Sequence, residues 1–215
     1  MRLYKFLDAE YGLKNLRHKR LKISLLDDLN DPFELAPFEM RKRNIRSAYR
    51  GVLAGYARMF GLVCFSKSWR DPVIWGHYSD KHKGICLGFE VPERLCRRVQ
   101  YKKRRLRFPK DMVLGRQSML FTKYVNWAYE KEWRCFRPLL DGAKSGGLYF
   151  MNFGDDLKLV RVIVGARSKI TEHEIRRAVE PLKDVRIIKA RAGFRRFEIV
   201  KDRRGFRETQ PSPAV

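Results

Sequence analysis

The longest regular pattern in the chain lies over residues 39–60, where Ile45, Ala48, Tyr49, Val52, Leu53, Tyr56 and Phe60 recur three and four apart. That spacing gathers them on one face of a helix. The opposite face carries Arg41, Lys42, Arg43, Arg46, Arg50 and Arg58. A solvated surface is the ordinary reading of such a face, and a phosphate-contacting ridge is the alternative. Short extended runs surround this helix. LYKF at 3–6 reads as the first strand, 21–25 as a second that enters a turn at 27–32, and GLVCFS at 61–66 as a buried one. Over 84–91, Ile85, Leu87, Phe89 and Val91 alternate with Cys86, Gly88 and Glu90, the period of a half-buried strand.

Residues 13–22 predict a short basic helix, and residues 111–128 predict another helix. Residues 99–108 predict an edge strand, because Lys102, Lys103, Arg104, Arg105 and Arg107 would blunt pairing with other chains. Residues 132–136 read as extended, with Glu132, Arg134 and Phe136 on one face and Trp133 and Cys135 on the other. A glycine-rich loop over 142–147 precedes a strand at 157–164. Thr171 and Glu174 then form a capping box, T-x-x-E, opening a helix that runs to Leu182. Strands at 185–190 and 196–200 finish the sheet, and the polar, proline-bearing end at 204–215 reads as disordered. With no internal repeat and no linker, the expectation is one α+β domain over 1–203, with mixed and antiparallel sheets and peripheral helices.

Composition narrows the class. The 215 residues are 44% hydrophobic and 13% aromatic, enough for one packed interior. No apolar run approaches the roughly 20 residues of a membrane helix, so the expectation is a cytoplasmic protein without a membrane partner. Cys64, Cys86, Cys96 and Cys135 are scattered without a C-x-x-C pair and read as reduced core residues. Charge is the outlier: 48 Lys and Arg against 24 Asp and Glu give a formal +24. Such an excess favours polyanions, with nucleic acid foremost, unless it is simply an arginine-rich surface. P-loop, G-x-G-x-x-G, G-x-S-x-G and H-E-x-x-H motifs are all missing, which removes the usual support for ATP hydrolysis, Rossmann hydride transfer and serine hydrolysis.

Three segments concentrate polar and aromatic side chains. WGHYSDKHKG at 75–84 brings Trp75, His77, Tyr78, Asp80 and His82 between two apolar strands, where connections carry function more often than strands do. His77 and His82 lie five apart, which is not a helical metal spacing, and hydrogen-bonded structural histidines are the plainer reading. YEKEWR at 129–134 places Glu130 and Glu132 on the same side of an extended backbone. Such a pair suits metal binding, acid–base work or stabilisation of a developing cation; a surface salt-bridge network is the plainer alternative. Against that alternative, Glu132 precedes Trp133 and Cys135 and so belongs inside the sheet, with Arg134 as its partner. LNDPFE at 29–34 reads as a turn in which Asn30 or Asp31 caps the chain.

In this order, LYKF, NDPFE, the W-x-H-Y-x-D-x-H-x-G block and E-x-E-W-R resemble a bacterial family without assigned biochemistry, over most of residues 3–165. More distantly the layout resembles ADP-ribosyltransferase domains of the toxin type that modifies DNA bases, with Lys5 where those domains carry histidine or arginine and Ser66-Lys67-Ser68 after Phe65. The second resemblance implies NAD as substrate, held by Tyr4, Lys5, Ser66, Trp75 and His77, with Tyr78 and Trp75 stacking on nicotinamide. It implies Glu132 as the catalytic carboxylate, with Glu130 and Tyr78 beside it and no metal. The acceptor would be nucleic acid or protein, in phage defence or as a toxin, with Arg41, Lys42, Arg46 and Arg50 contacting phosphates. Two other readings stand beside it: a nucleic-acid-binding module without catalysis, and a metal-dependent nuclease using His77, Asp80, Glu130 and Glu132.

Overall fold

The computed structural model describes residues 1–180, 182 and 184–206. Its elements run in chain order as β1 (Arg2–Leu7), α1 (Ala9–Arg17), β2 (Arg20–Leu25), α2 (Arg43–Met59), β3 (Phe60–Ser66), α3 (Pro72–Tyr78), β4 (Ile85–Glu90), β5 (Arg97–Arg98) and β6 (Gln100–Lys102). They continue with α4 (Met112–Phe121), β7 (Thr122–Tyr124), β8 (Glu132–Pro138), β9 (Ala143–Ser145), β10 (Leu148–Asn152), β11 (Lys158–Val164), α5 (Glu172–Val179), β12 (Arg186–Ala192) and β13 (Ile199–Lys201). The chain is thus a single α+β domain dominated by one mixed sheet. The sheet's path is β13-β12-β11-β4-β1-β3-β2-β10-β9, with β8 on β3 and β5 on β8. Among the described residues, only β11 and β12 pair in parallel within it, joined across α5. Among the described residues, no helix is long and apolar enough to cross a membrane.

One strand holds the sheet together at a split. Along one edge, β3 pairs with β2 at its start (Leu62 with Ser24, Gly61 with Leu25) and with β1 at its end (Ser66 with Tyr4). Between these contacts β1 and β2 diverge, leaving a gap over residues 63–65. Its other edge is closed along its whole length by β8, from Phe60 opposite Pro138 to Ser66 opposite Glu132. The gap is where the cleft described below opens.

The alternation in β1 and β4 divides side chains between two cores rather than between core and solvent. Leu3, Ile85, Leu87 and Phe89 join the cluster beneath α1 and α5, while Tyr4, Phe6 and Cys86 join one under α3 with Trp75 and Ile163. The half-buried reading of 84–91 therefore fails: every residue from Ile85 to Phe89 is buried. Gly88 has a specific task, since an added Cβ would lie 3.1 Å from the Tyr4 ring and 3.0 Å from the Arg161 Cβ. A third cluster, which includes Leu35, Phe38, Tyr49, Leu62, Met119 and Leu120, packs α2 and α4 against β3.

Local signals explain several boundaries. The first helix starts at Ala9 rather than 13 because the Asp8 carboxylate accepts from the Tyr11 amide at 2.8 Å, and it ends at Arg17, before Lys19 turns left-handed. The Thr171–Glu174 capping box is present as expected, though its helix stops at Val179. The helix expected over 39–60 begins only at Arg43, and of its apolar stripe Tyr49 alone is buried, with Ala48 and Val52 exposed. The loop at 142–147 contains β9 and turns at Gly146 and Gly147, both with positive φ. The largest correction concerns 111–128: the helix ends at Phe121, β7 pairs in parallel with β6, and Val125–Glu130 forms a 3-10 turn. Pairing with β6 outcompeted the helical propensity of that stretch. At the C-terminal end, Phe206 packs on the main core, and the remainder of the tail read as disordered lies outside the described residues.

Candidate active site

Three carboxylates and two cations converge at the split. Glu34 reaches it from the NDPFE turn, where the Asp31 carboxylate accepts from the Phe33 amide at 2.9 Å and Leu35 adopts a positive φ of 57°. Lys123 comes from β7, Glu130 from the 3-10 turn, and Glu132 and Arg134 from one face of β8. Lys131 between the two glutamates is left-handed, at φ 46°. That kink, rather than the extended alternation expected from sequence, aims both acids at one point.

The contacts are dense. Lys123 Nζ lies 2.7 Å from Glu130, 3.0 Å from Glu34 and 3.3 Å from Glu132. Arg134 donates through Nε to Glu132 at 2.8 Å, through Nη2 to Glu34 at 2.5 Å, and through Nη1 to the Leu120 carbonyl at 3.0 Å. It is 1% exposed. Charges this deeply buried persist only when each is paired and hydrogen-bonded. The Tyr78 hydroxyl donates to Glu130 at 2.5 Å, and the Glu132 amide donates to the Tyr101 hydroxyl at 2.8 Å. With all three acids ionised, the five side chains keep one net negative charge.

Environment separates the two glutamates of β8 and its turn. Burial alone would raise the Glu132 carboxyl, but the ion pair with Arg134, reinforced by Lys123, brings it down to about 2, so it stays ionised. Burial raises Glu130 above the usual carboxylate range despite the Lys123 and Tyr78 contacts. Burial would lower Lys123, yet Glu132, Glu34 and Glu130 together hold it well above the ordinary amine range. Burial, then the charge of Glu130, keeps the Tyr78 phenol protonated far into the alkaline range. Glu132 is thus held as the anion while the neighbouring Glu130 binds its proton more tightly than an ordinary carboxylate, the separation of proton affinities found in acid–base sites.

A cleft of about 250 Å³ opens beside this cluster. Tyr4, Lys5 and Phe6 of β1 line it with Cys64, Phe65 and Ser66 of β3, Ile74 and Tyr78 of α3, the 28–31 turn, Lys123, Trp127, Glu130 and Glu132. Of the residues expected from sequence, Tyr4, Lys5, Ser66, Tyr78, Glu130 and Glu132 therefore share one cavity. Tyr4 is fixed there, its ring over Gly88 and its hydroxyl 3.4 Å from Arg161 Nη1. Ser66 spends its hydroxyl locally, donating to the Ser68 carbonyl at 2.9 Å.

Trp75 and His77 are not in the cleft. Trp75 is fully buried beneath it, donating to the Trp69 carbonyl at 2.6 Å and meeting Phe6 edge-on, so it has no free face for nicotinamide. The α3 helix, started by the Asp71 cap and Pro72, turns Trp75 inward and His77 outward. His77 Nδ1 meets the Tyr129 hydroxyl at 2.9 Å on the exposed side. Asp80 sits in a left-handed turn, 3.7 Å from Lys83. His77 and Asp80 thus lie outside the lining of the cleft that Glu130 and Glu132 share, and an ammonium group, Lys123, bridges those two carboxylates. On α2, Arg46 Nη1 donates to the Met40 and Arg41 carbonyls and Arg50 Nε to the Arg46 carbonyl, so part of the ridge's donor capacity serves the helix start and the helix itself.

Lys123 and Glu34 were not anticipated as site residues. Lys123 was hidden by the helical reading of its segment and Glu34 by the turn reading of NDPFE. The available signal was charge balance, since Arg134 alone cannot neutralise two buried acids. No family model, curated protein or solved structure matches the chain. Function has to be read from the cleft itself.

Proposed function

We propose that the protein is an NAD-consuming ADP-ribosyltransferase whose reaction centre is the cleft at the sheet split. The observation that carries this reading is the meeting of a permanently ionised Glu132, a base-tuned Glu130 and the Tyr78 ring in one cavity with Tyr4 and Lys5. The order of motifs, LYKF then Tyr78 then Glu132, supports it by resemblance. At about 250 Å³ the cleft lies just below the usual size of ligand pockets, roughly 300–1,000 Å³, and suits a ring and its ribose rather than a whole dinucleotide. Its acid-rich lining draws in the cationic nicotinamide end and leaves the pyrophosphate toward solvent.

In the reaction the bond between ribose C1′ and the nicotinamide nitrogen breaks, and its electron pair leaves with neutral nicotinamide. Positive charge develops on C1′ and the ring oxygen, next to the ionised Glu132 carboxylate, which its ion pairs already hold in place so that no reorganisation is needed. Tyr78 flanks the departing ring. An N–H or O–H acceptor then bonds to C1′, and Glu130 takes the proton that the acceptor loses.

Nicotinamide release from NAD, followed chromatographically with and without added nucleic acid or protein, tests the reading. Glu132→Gln is expected to lower the rate by about 10²–10³-fold, the loss typical of removing a charge-stabilising group, with unchanged circular dichroism as the folding control. An unaltered protein that neither releases nicotinamide nor gains thermal stability on adding NAD refutes it.

A further inference from the structure

Next to the cleft runs a groove of about 360 Å³, walled by Phe33, Ala36 and Pro37 on one side and by Lys102–Arg105 with β7 on the other. Its charge is one-sided. Lys102, Lys103, Arg104 and Arg105 line it with exposed charge and, among the described residues, no acid does; Lys123 also lines it, but its ammonium is held by Glu34, Glu130 and Glu132. It also carries two rings that no core has absorbed: Phe33 is 55% exposed and Tyr124 43% exposed. The parallel β6–β7 pair sets Lys102 directly opposite Tyr124, and the Arg105 guanidinium lies 5.1 Å over the Phe33 ring. The groove and the cleft abut at Lys123, the one residue that lines both.

We infer that this groove binds single-stranded nucleic acid, its cations tracking the backbone while Phe33 and Tyr124 stack on unpaired bases. Cations alone would accept any polyanion. Exposed rings set among them are what unstacked bases require, since every base has a face to stack. A duplex keeps its bases stacked on one another and offers these rings nothing. Because the groove ends at the cleft wall, a bound strand would bring a base to the transferase centre; that consequence, unlike the binding, rests on the reading proposed above.

Fluorescence anisotropy of a labelled mixed-sequence single-stranded oligonucleotide, titrated at several salt concentrations, tests the inference. Lys102→Ala with Lys103→Ala is expected to weaken binding and to flatten the plot of log affinity against log salt by about 0.7 per charge removed. Phe33→Ala with Tyr124→Ala is expected to weaken binding about tenfold or more at every salt, leaving the slope unchanged. All four side chains are exposed, and melting temperatures within a few degrees of the parent confirm that the variants fold. Equal affinity for a duplex or for polyglutamate overturns the inference, as does binding that only Arg46→Ala and Arg50→Ala diminish. Nicotinamide release by the unaltered protein separates the two proposals. Release without strand binding sinks the groove alone, and strand binding with neither nicotinamide release nor stabilisation by NAD sinks the transferase reading alone.

Discussion

The cleft at the sheet split gathers Asp28, Asp31, Glu34, Glu130 and Glu132 with Lys5 and Lys123, whereas the groove beside it gathers the four exposed cations Lys102–Arg105 and, among the described residues, no acid. Lys123 is their common wall. In the cleft, Lys123, Arg134 and their acids are almost fully buried and satisfy one another, so they act as a structural unit as well as a chemical one. In the groove, Lys102, Lys103 and Arg104 face solvent, and little of the fold depends on them. The same residue types therefore do different work according to how much water surrounds them. Buried charge fixes geometry and shifts proton affinities, while exposed charge is left free for a partner.

That contrast can be broken by removing one member from each region. The largest effect is expected for Arg134→Met, which strands Glu132 and Glu34 without their guanidinium: loss of a buried partner costs about 3–5 kcal/mol, measurable by urea unfolding. Next comes the wall behind Tyr4. In Gly88→Ala the new methyl presses on the Tyr4 ring and Arg161, and overpacking of this kind costs about 1–3 kcal/mol; thermal unfolding reads it, and a normal melting temperature would show that the ring yields freely.

Acid titration sharpens the contrast further. The folded-state pKa of Glu132 is depressed to about 2 from a reference of 4.5, so its stabilisation is full above pH 4.5 and is lost as pH falls toward 2. Glu130 runs the other way: with its folded-state pKa raised, its contribution is most favourable at low pH and fades as pH rises through that value. Denaturation curves between pH 5 and pH 2 should therefore show a shallower decline in Glu132→Gln than in the parent. An identical decline would mean that the carboxylate is not held by its ion pairs. The smallest effect belongs to the groove, where Lys103→Ala should change stability by no more than about 0.5 kcal/mol, as for exposed positions generally.

Much of the fold was legible in the chain. LYKF, GLVCFS, the alternating run at 84–91 and the Thr171–Glu174 box all mark elements that formed close to where their patterns stand, because hydrophobic period and capping are local properties. The pattern misled where a contact distant in sequence intervened. Residues 122–124 became a strand through pairing with Gln100–Lys102. Of the apolar stripe of α2 Tyr49 is buried, Leu53 and Tyr56 pack half-buried on the same cluster, and Ala48 and Val52 stay exposed. In the site, sequence singled out Glu130, Glu132 and Tyr78 as polar and aromatic residues concentrated beside apolar strands, while Tyr4 and Lys5 entered through the resemblance alone. It also offered Trp75 and His77, which lie on the same short helix as Tyr78 but face the core and the solvent.

By itself, then, the sequence determined β1 to β4, β8, β11 and β12, the α+β class, the excess of positive charge and which segments carry polar chemistry, all set by neighbours a few residues apart. Only the tertiary structure decided that Glu34 and Lys123 complete the buried cluster, that one glutamate is held ionised while the other is shifted toward neutrality, and that an anionic cleft and a cationic groove share a wall. Those outcomes depend on distances between residues up to 100 positions apart, as between Glu34 and Arg134, and on how completely water is excluded from them. Coulomb energy and desolvation are functions of that geometry, which no local pattern encodes.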